Sequence, residues 1–295
     1  MKPGERRWQD RYLPYLIILP ALVLTIGILY PFILAIVYSL TDYRLVSPTR
    51  HFIGLTNYLD SFQDINFWYS LAVTLLYAAL TIIIEVPLGL GVAMLLNHEI
   101  RGIRSFRFIL IIPLMMPPVI AALMWKMIMA ENGILNYFIG LIGAAPVPWL
   151  ANTYSLLSIV LIDVWLYTPF CAIILLAGLQ SLPKEPYESA MVDRASGFFI
   201  FRHLTMPMLK PFLILAILFR TIDSLKMFDL VYATTKGSHS TMLMQVSAYY
   251  EAFRWYNMGK SLSHMIIIWV VIFIISRMLI SWWNRAMQRA TGTER

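Results

Sequence analysis

Six long blocks of apolar residues divide this chain, and no other feature constrains its fold so strongly. Each block reaches or exceeds about 20 residues, the length that a helix needs to cross roughly 30 Å of hydrocarbon. With 59% of its residues hydrophobic and 13% charged, the chain is far more apolar than a soluble domain. The sequence therefore predicts an all-α polytopic membrane protein with six transmembrane helices at approximately Tyr15–Leu40, Trp68–Leu96, Phe108–Ala130, Tyr154–Leu179, Phe212–Tyr232 and Leu262–Trp283.

Basic residues alternate between the two sides of these predicted spans. Fourteen Lys and Arg residues fall in the two terminal tails and in the second and fourth connections, against five in the other three connections. By the positive-inside rule, both termini are cytoplasmic. The predicted organisation is a cytoplasmic tail at residues 1–14, a transmembrane domain at 15–283 and a second cytoplasmic tail at 284–295. This topology accounts for the net charge of +7 without a nucleic-acid partner, because the basic residues form no single stripe.

The connection between the third and fourth predicted spans carries a short apolar run in place of charge. The run is too short to cross a bilayer. It indicates either an interfacial helix or a re-entrant turn, and the sequence leaves both open. Its apolar members are Ile134, Leu135, Tyr137, Phe138, Ile139, Leu141 and Ile142.

The longest predicted cytoplasmic connection, residues 180–211, holds apolar residues that a solvated loop would not need. Pro186 favours the start of one short helix, the residues from Asp193 to Gly197 are typical of a turn, and Phe198 begins a second apolar helix. Exposed apolar surface costs roughly 25 cal/mol per Å² in water. We therefore expect a helix–turn–helix knob that packs against a partner protein.

This connection resembles the EAA loop of ABC importer permeases, a Glu-Ala-Ala motif followed at fixed spacing by Gly and by Leu-Pro. The residues that fit the pattern are Glu188, Ala190, Asp193, Ala195, Phe201, Leu204 and Pro207. Arg194 stands where the family has Gly. A left-handed conformation costs about 1 kcal/mol for a residue with a Cβ, which favours a turn shifted toward Ser196–Gly197. The segments Phe52–Tyr58 and Leu71–Thr74 also resemble sugar permeases, so the resemblance covers the whole chain.

The resemblance implies the type I ABC importer permease fold, with residues 180–211 as a cytoplasmic coupling loop. It implies partners: a second homologous permease subunit, two ATP-binding cassette ATPase subunits and an extracytoplasmic solute-binding protein, in the cytoplasmic membrane of a bacterium or archaeon. The chain itself is then a transport subunit and no enzyme, and it holds no cofactor, because the ATPase subunits bind ATP and Mg²⁺. The coupling residues carried over are Glu188, Ala190, Asp193, Gly197, Phe201 and Pro207.

Ionisable residues inside the predicted spans need a partner or a water-filled cavity, because each costs about 2.5–3.5 kcal/mol on insertion scales. Four of them fall in the fifth span, at spacings that place alternating charges on one helical face. Two interpretations stay open, self-neutralisation within the bundle and a polar wall for the hydroxyl groups of a sugar. Glu85 and Lys126 are interpreted as structural or snorkelling residues. The full set is Glu85, Lys126, Asp163, Arg220, Asp223, Lys226, Asp229 and Arg277.

The substrate positions come from the resemblance to maltose-type permeases. On the fourth and fifth spans they are Asp163, Tyr167, Phe170, Arg220, Asp223 and Ser224. A di- or oligosaccharide is the expected substrate, while a polyol, glycerol phosphate or an anionic sugar stays open because Arg220 offers a cation. No metal site is predicted. An ion-coupled secondary transporter would explain the intramembrane charges but not the EAA loop, and a membrane enzyme would need a catalytic constellation that the sequence does not offer.

Overall fold

The computed structural model describes residues 3–47, 49–98 and 102–290, and this part of the chain is helical apart from turns and two isolated β-bridges. Short 3₁₀ turns lie at Pro113–Met115, Asn152–Tyr154 and His239–Thr241, and a π-helical turn lies at Phe201–Thr205. The α-helices are α1 (Pro3–Ser39), α2 (Thr56–Gln63), α3 (Ile65–Leu96), α4 (Ile103–Ile111), α5 (Pro118–Ile128), α6 (Ile134–Leu141), α7 (Ser155–Ser181), α8 (Glu185–Val192), α9 (Gly197–Ile200), α10 (Met206–Leu225), α11 (Asp229–Thr234), α12 (Met244–Phe253) and α13 (Met258–Ala290).

Five helical segments in the described residues are long and apolar enough to cross a membrane. They are Tyr12–Ser39, Ile65–Leu96, Ser155–Ser181, Gly197–Leu225 and Met258–Gln288. The segments Ser105–Met115 and Pro118–Ile128 pass the same test together and meet at a bend of 95°, so they form a sixth span if they are counted as one. The predicted all-α fold with six spans is confirmed in this form. The third span is broken and not straight, because Pro117 and Pro118 lack the N–H donors that a continuous helix needs.

The fifth predicted span, Phe212–Tyr232, has different bounds in the structure. The helix begins fifteen residues earlier in sequence, at Gly197, and α10 ends at Leu225. The N–H of Lys226 bonds to the carbonyl of Asp223 at 3.2 Å, which closes the last turn. Hydropathy did not reveal this end, because apolar residues continue beyond the break.

The chain divides into two compact units, and the smaller comprises the residues up to Asp64 together with Ala248–Ile266. In this unit Asn57 caps the end of α1, its amide donating to the carbonyls of Ser39 and Thr41, each at 2.8 Å. The Ser39 hydroxyl also lies 2.7 Å from that of Tyr58. These bonds satisfy carbonyls that a helix end leaves unpaired. No side chain in the most apolar stretch of α1 is buried within the chain, so lipid or another subunit must cover it.

The larger unit, Ile65–Ser247 with Ile267–Arg295, is built around α3, α7 and α10. Gly89 lets α3 approach α7 closely, since a Cβ at this position would lie 2.6 Å from the Cβ of Cys171 and 3.0 Å from the amide nitrogen of Ala172. Small residues therefore set the spacing of these two helices, as is usual between membrane helices. A cluster of buried apolar residues joins the three helices: Ala93, Leu175, Leu209 and Ala216.

The residues of the predicted coupling loop form two helices joined by a turn, as expected. Arg194 follows α8 with φ = 53°, so it adopts the left-handed conformation. Its N–H bonds to the carbonyl of Met191 at 3.1 Å, and the N–H of Ala195 bonds to that of Ala190 at 2.9 Å. This pair of bonds is a Schellman motif, whose left-handed position is usually Gly. The expected shift of the turn toward Ser196–Gly197 is therefore wrong.

The turn stays at Arg194 because of the way in which the second helix, α9, begins. The side chain of Ser196 accepts a hydrogen bond from the N–H of Phe199 at 3.2 Å and so caps the first turn of α9. Gly197 is the first residue of that helix and is not at a left-handed position. The cap fixes where α9 starts, which leaves Arg194 to complete the turn.

Substitution of Gly89 tests the close approach of α3 and α7. We expect Gly89→Ala to destabilise the protein by about 1–3 kcal/mol, because the new methyl group meets backbone and Cβ atoms that cannot swing away. Thermal unfolding of the purified protein in detergent measures the effect. Gly91→Ala is the matched control: apart from its own helix backbone, no atom lies within 4 Å of a Cβ at this position, so the same change two residues later should be neutral or stabilising. Equal unfolding temperatures for the two variants would contradict this account.

Substitution of Arg194 tests the strained turn. We expect Arg194→Gly to stabilise the protein by about 1 kcal/mol, since Gly adopts the left-handed conformation without a Cβ clash. Ser189→Gly, an exposed interior position of α8, should lower stability by a similar amount because Gly weakens a helix interior. Both are measured as shifts of the thermal unfolding midpoint. Destabilisation by Arg194→Gly would show that the arginine side chain stabilises the turn in some other way.

Candidate functional site

A buried arginine joins the three central helices of the larger unit. From α10, Arg220 Nε donates to Glu85 Oε2 on α3, and Nη2 donates to Glu85 Oε1 at 2.9 Å. The same Nη2 donates to Asp163 Oδ2 on α7 at 2.7 Å. The guanidinium therefore makes a two-nitrogen contact with one carboxylate and a single contact with the other. We call Glu85, Asp163 and Arg220 the ion cluster.

The ion cluster is shielded from solvent, since the side chains of all three residues have a relative exposure of 0%. Charges at membrane depth are costly unless they pair with one another. In a low-dielectric interior, removing one member of such a group leaves an uncompensated charge and is strongly destabilising. The cluster therefore ties α3, α7 and α10 into one arrangement.

Polar and aromatic groups surround the ion cluster. Arg220 Nη2 also lies 3.3 Å from the hydroxyl of Ser224, which is 3.2 Å from that of Thr81. The ring of Tyr167 lies under the guanidinium, with Cζ 4.3 Å from its centroid, a cation–π contact. Tyr167 is only partly buried, so it forms the boundary between the cluster and the accessible surface.

Two atoms of the ion cluster are not used within the described residues. Asp163 Oδ1 and Arg220 Nη1 are buried and make no hydrogen bond of good geometry there, and neither does the hydroxyl of Tyr77, which is fully buried and interacts with Asp163. Buried polar atoms are nearly always bonded, so an acceptor and a donor left over in one cluster need an explanation. A hydroxyl group or a water molecule, each of which both donates and accepts, would satisfy the pair.

The structure brings four of the six predicted substrate residues together and leaves two apart. Asp163, Tyr167, Arg220 and Ser224 lie in or against the ion cluster. Phe170 packs edge-on against Phe219, with centroids 6.1 Å apart. Asp223 is 49% exposed and pairs with Lys226 at 3.4 Å.

The predicted ladder of alternating charges on one helical face is wrong. Arg220 bonds across to α3 and α7 and not to Asp223. Lys226 and Asp229 lie beyond the end of α10, so they continue no face of that helix. Only the pairing of Asp223 with Lys226 occurs among the described residues of the ladder. The self-neutralising interpretation holds for Arg220, but its partners come from other helices.

The structure supports the structural interpretation of Glu85 and not the snorkelling one. Its carboxylate is fully buried and bonded to Arg220, so it does not snorkel toward an interface. The sequence offered one indication of this contact. An acidic and a basic residue in different apolar blocks must form an ion pair or lose their charges. Which acid pairs with which base depends on helix packing, and no spacing within one helix reveals it.

The predicted coupling residues occupy both arms of the helix–turn–helix. Glu188 and Asp193 are exposed on α8 and its cap, Ala190 is 9% exposed, and Gly197 starts α9. Phe201 opens the π-helical turn, and Pro207 lies in the first turn of α10. The hydroxyl of Tyr187 donates to that of Thr205 at 3.2 Å, which fastens α8 to the π-helical turn.

Four apolar side chains on this loop are exposed in the part of the chain that the structure describes. Met191 is 64% exposed, Val192 83%, Phe198 72% and Phe199 49%. Together they form a protruding apolar surface on a short helical knob. Such a surface is typical of a protein-binding site.

Neutralising the base of the ion cluster tests its structural role. We expect Arg220→Met to cost about 3–5 kcal/mol, because two buried carboxylates lose their counter-charge. The measurement is the yield of monodisperse protein and its thermal unfolding midpoint. The triple variant Glu85→Gln, Asp163→Asn, Arg220→Met removes every charge and should recover most of the loss.

An exposed pair supplies the control for this experiment. Lys226→Met removes a cation that is 53% exposed, and its effect should stay within about 0.5 kcal/mol. An Arg220→Met variant as stable as the parent would contradict the ion cluster as a tie between helices.

Comparisons with known proteins agree with this architecture. A family model described as "Binding-protein-dependent transport system inner membrane component" matches residues 85–292. The trehalose/maltose transport system permease protein MalF of Thermococcus litoralis is 37% identical over 87% of this chain and 87% of its own length. The trehalose transport system permease protein SugA of Mycobacterium tuberculosis is 31% identical over 95% of this chain and 91% of its own.

A solved structure shows the same fold. In a bacterial ABC transporter that imports the acidic polysaccharide alginate, one chain superposes with a TM-score of 0.82 at 20% identity, covering 95% of this chain and 99% of that one. The fold is thus that of ABC importer permeases. Because the family model covers well over half of the sequence, this chain belongs to the inner membrane components of binding-protein-dependent transport systems.

Proposed function

We propose that this chain is the permease subunit of an ABC importer that translocates an uncharged di- or oligosaccharide. Two relatives more than 30% identical are named as trehalose/maltose and trehalose permeases, which supports a sugar. An external solute-binding protein delivers the sugar, and separate ATPase subunits that bind ATP and Mg²⁺ drive its passage. The chain forms part of the translocation pathway and is not an enzyme, and it needs no cofactor of its own.

The proposal of an uncharged substrate rests on the ion pairing of Arg220. An anionic sugar would need a free cation, but two buried carboxylates already occupy this guanidinium. The less buried of the predicted substrate residues are the aromatic Tyr167 and Phe170 and the exposed carboxylate of Asp223. Sugars are bound by aromatic faces combined with a few placed hydrogen-bonding groups. This combination favours a neutral sugar over glycerol phosphate or a sugar acid.

The exposed loop surface supports the proposed ATPase partner. Its apolar side chains Met191, Val192 and Phe198 are exposed on the helix–turn–helix, which suits insertion into a cleft of another protein. With both termini cytoplasmic, as the charge distribution predicts, this knob faces the cytoplasm where ATP is available. The uncovered apolar length of α1 supports contact with a second permease subunit or with lipid.

Reconstituted transport tests the proposal directly. In proteoliposomes holding this chain, its partner permease and the ATPase subunits, we expect uptake of labelled trehalose or maltose that requires both ATP and the solute-binding protein. Uptake that needs only an ion gradient would contradict the proposal and indicate a secondary transporter. A preference for labelled glycerol phosphate or a sugar acid would contradict the neutral substrate alone.

Asp223 gives the sharpest test of the site in the same assay. We expect Asp223→Ala to abolish uptake while the complex still assembles, because an exposed carboxylate can leave without disturbing the fold. Lys226→Ala is the matched control, since it breaks the same ion pair and leaves the carboxylate in place. Loss of uptake in both variants would mean that the pair matters only as a pair. Normal uptake by Asp223→Ala would remove Asp223 from the site.

A further inference from the structure

Helix α6 presents a continuous apolar face that nothing in the described chain covers. Five large side chains recur at the i, i+3, i+4, i+7 and i+8 positions that share one side of a helix. All of them are at least 60% exposed. They are Ile134, Tyr137, Phe138, Leu141 and Ile142, the last directly following the helix.

The opposite side of α6 is tied to the residue Ala130, which follows α5, and to the loop that precedes α7. Asn136, 5% exposed, donates to the carbonyl of Ala130 at 3.1 Å and to that of Val147 at 3.0 Å. Its side-chain oxygen accepts from the N–H of Val147 at 2.9 Å and from the indole of Trp149 at 3.2 Å. One amide therefore uses both its donor and its acceptor groups to hold the connection together.

These bonds hold α6 close to the end of α5 and the start of α7. Ala130 follows the end of α5, and the carbonyl of Trp149 accepts from the hydroxyl of Ser158 in the first turn of α7 at 2.6 Å. A Cβ at Gly133 would lie 2.6 Å from the carbonyl oxygen of Met127, so only glycine lets α6 begin so close to α5. Helix α6 thus lies where α5 ends and α7 begins, at the boundary of the hydrocarbon.

We infer that α6 is an interfacial helix whose apolar face inserts into the acyl chains of the outer leaflet. The chain carries no charged residue from Asn132 to Ile162, so this stretch gives the face no charged border, which favours lipid over a reversibly docking protein. A large uncharged apolar face exposed to water would be costly, whereas lipid is present at the level of α6. The hydroxyl of Tyr137 suits the headgroup region.

This inference decides between the two alternatives that the sequence left open for the connection. A re-entrant turn would place α6 within the bundle, but its face points away from the chain and is exposed. As an interfacial anchor, α6 holds the outer ends of α5 and α7 at a fixed depth. The inference depends on the membrane location of the chain and not on the identity of the transported compound.

Site-directed spin labelling of the reconstituted importer tests the anchor. In a Cys171→Ala background, which removes the buried native thiol, a label at Phe138→Cys is compared with one at Glu131→Cys, an exposed acidic position at the start of the same connection. In phosphatidylcholine liposomes we expect the label at 138 to collide with oxygen and not with a water-soluble nickel complex, at a depth of roughly 5–10 Å below the headgroups. The label at 131 should collide with nickel.

Two results would overturn the inference. Nickel access at position 138 equal to that at 131 would place the face in water, and an immobilised label that neither reagent reaches would mean that another protein covers it. If Phe138→Cys does not insert into the membrane, Ile142→Cys, 82% exposed at the end of the same face, carries the same test. Because uptake is not the readout, failure of the proposed sugar transport would leave this result unaffected.

Discussion

The buried contact between Arg220 and two carboxylates is the interaction on which the larger unit depends. It links α3, α7 and α10 where none of these charges can reach water, so each charge is tolerated only because the others are present. Such a contact is directional, since a guanidinium presents its donors in one plane. It therefore specifies how the three helices are rotated about their axes. Apolar packing alone is less directional and specifies this rotation less strictly.

Close helix packing makes that contact possible. Gly89, one turn beyond Glu85 on α3, lets the backbone approach α7. Prolines act in the opposite way elsewhere, since Pro117 and Pro118 break the third span into two helices that meet at 95°. Small and helix-breaking residues thus decide where this chain is compact and where it bends.

The same contact bears on two roles that the sequence left open for the charged residues, pairing with one another and binding a sugar. Arg220 is occupied by carboxylates, so the accessible part of the candidate site is left to aromatic rings and Asp223. Asp163 keeps one unused oxygen and Arg220 one unused nitrogen, and the ring of Tyr167 packs against the guanidinium. The proposed substrate residues therefore include Asp163 and Arg220, which tie the helices together.

The sequence by itself determined that this is a membrane protein, where its spans approximately lie, and that residues 180–211 form two short helices joined by a turn. These features follow from local properties: the length of an apolar block, the charge of a connection, and the turn and cap residues between Asp193 and Gly197. The sequence also predicted the strain at Arg194, although it placed the turn wrongly, because the Ser196 cap that fixes α9 depends on backbone geometry.

Only the tertiary structure decided the partners of the intramembrane charges and the end of the fifth span. Arg220 is 135 residues from Glu85 and 57 from Asp163, and no periodicity within one helix connects positions so far apart. Burial also depends on the whole fold, because a face is buried only when another helix covers it. The sequence therefore identified which charged residues are unfavourable in a membrane, while the packing of α3, α7 and α10 determined which of them form ion pairs.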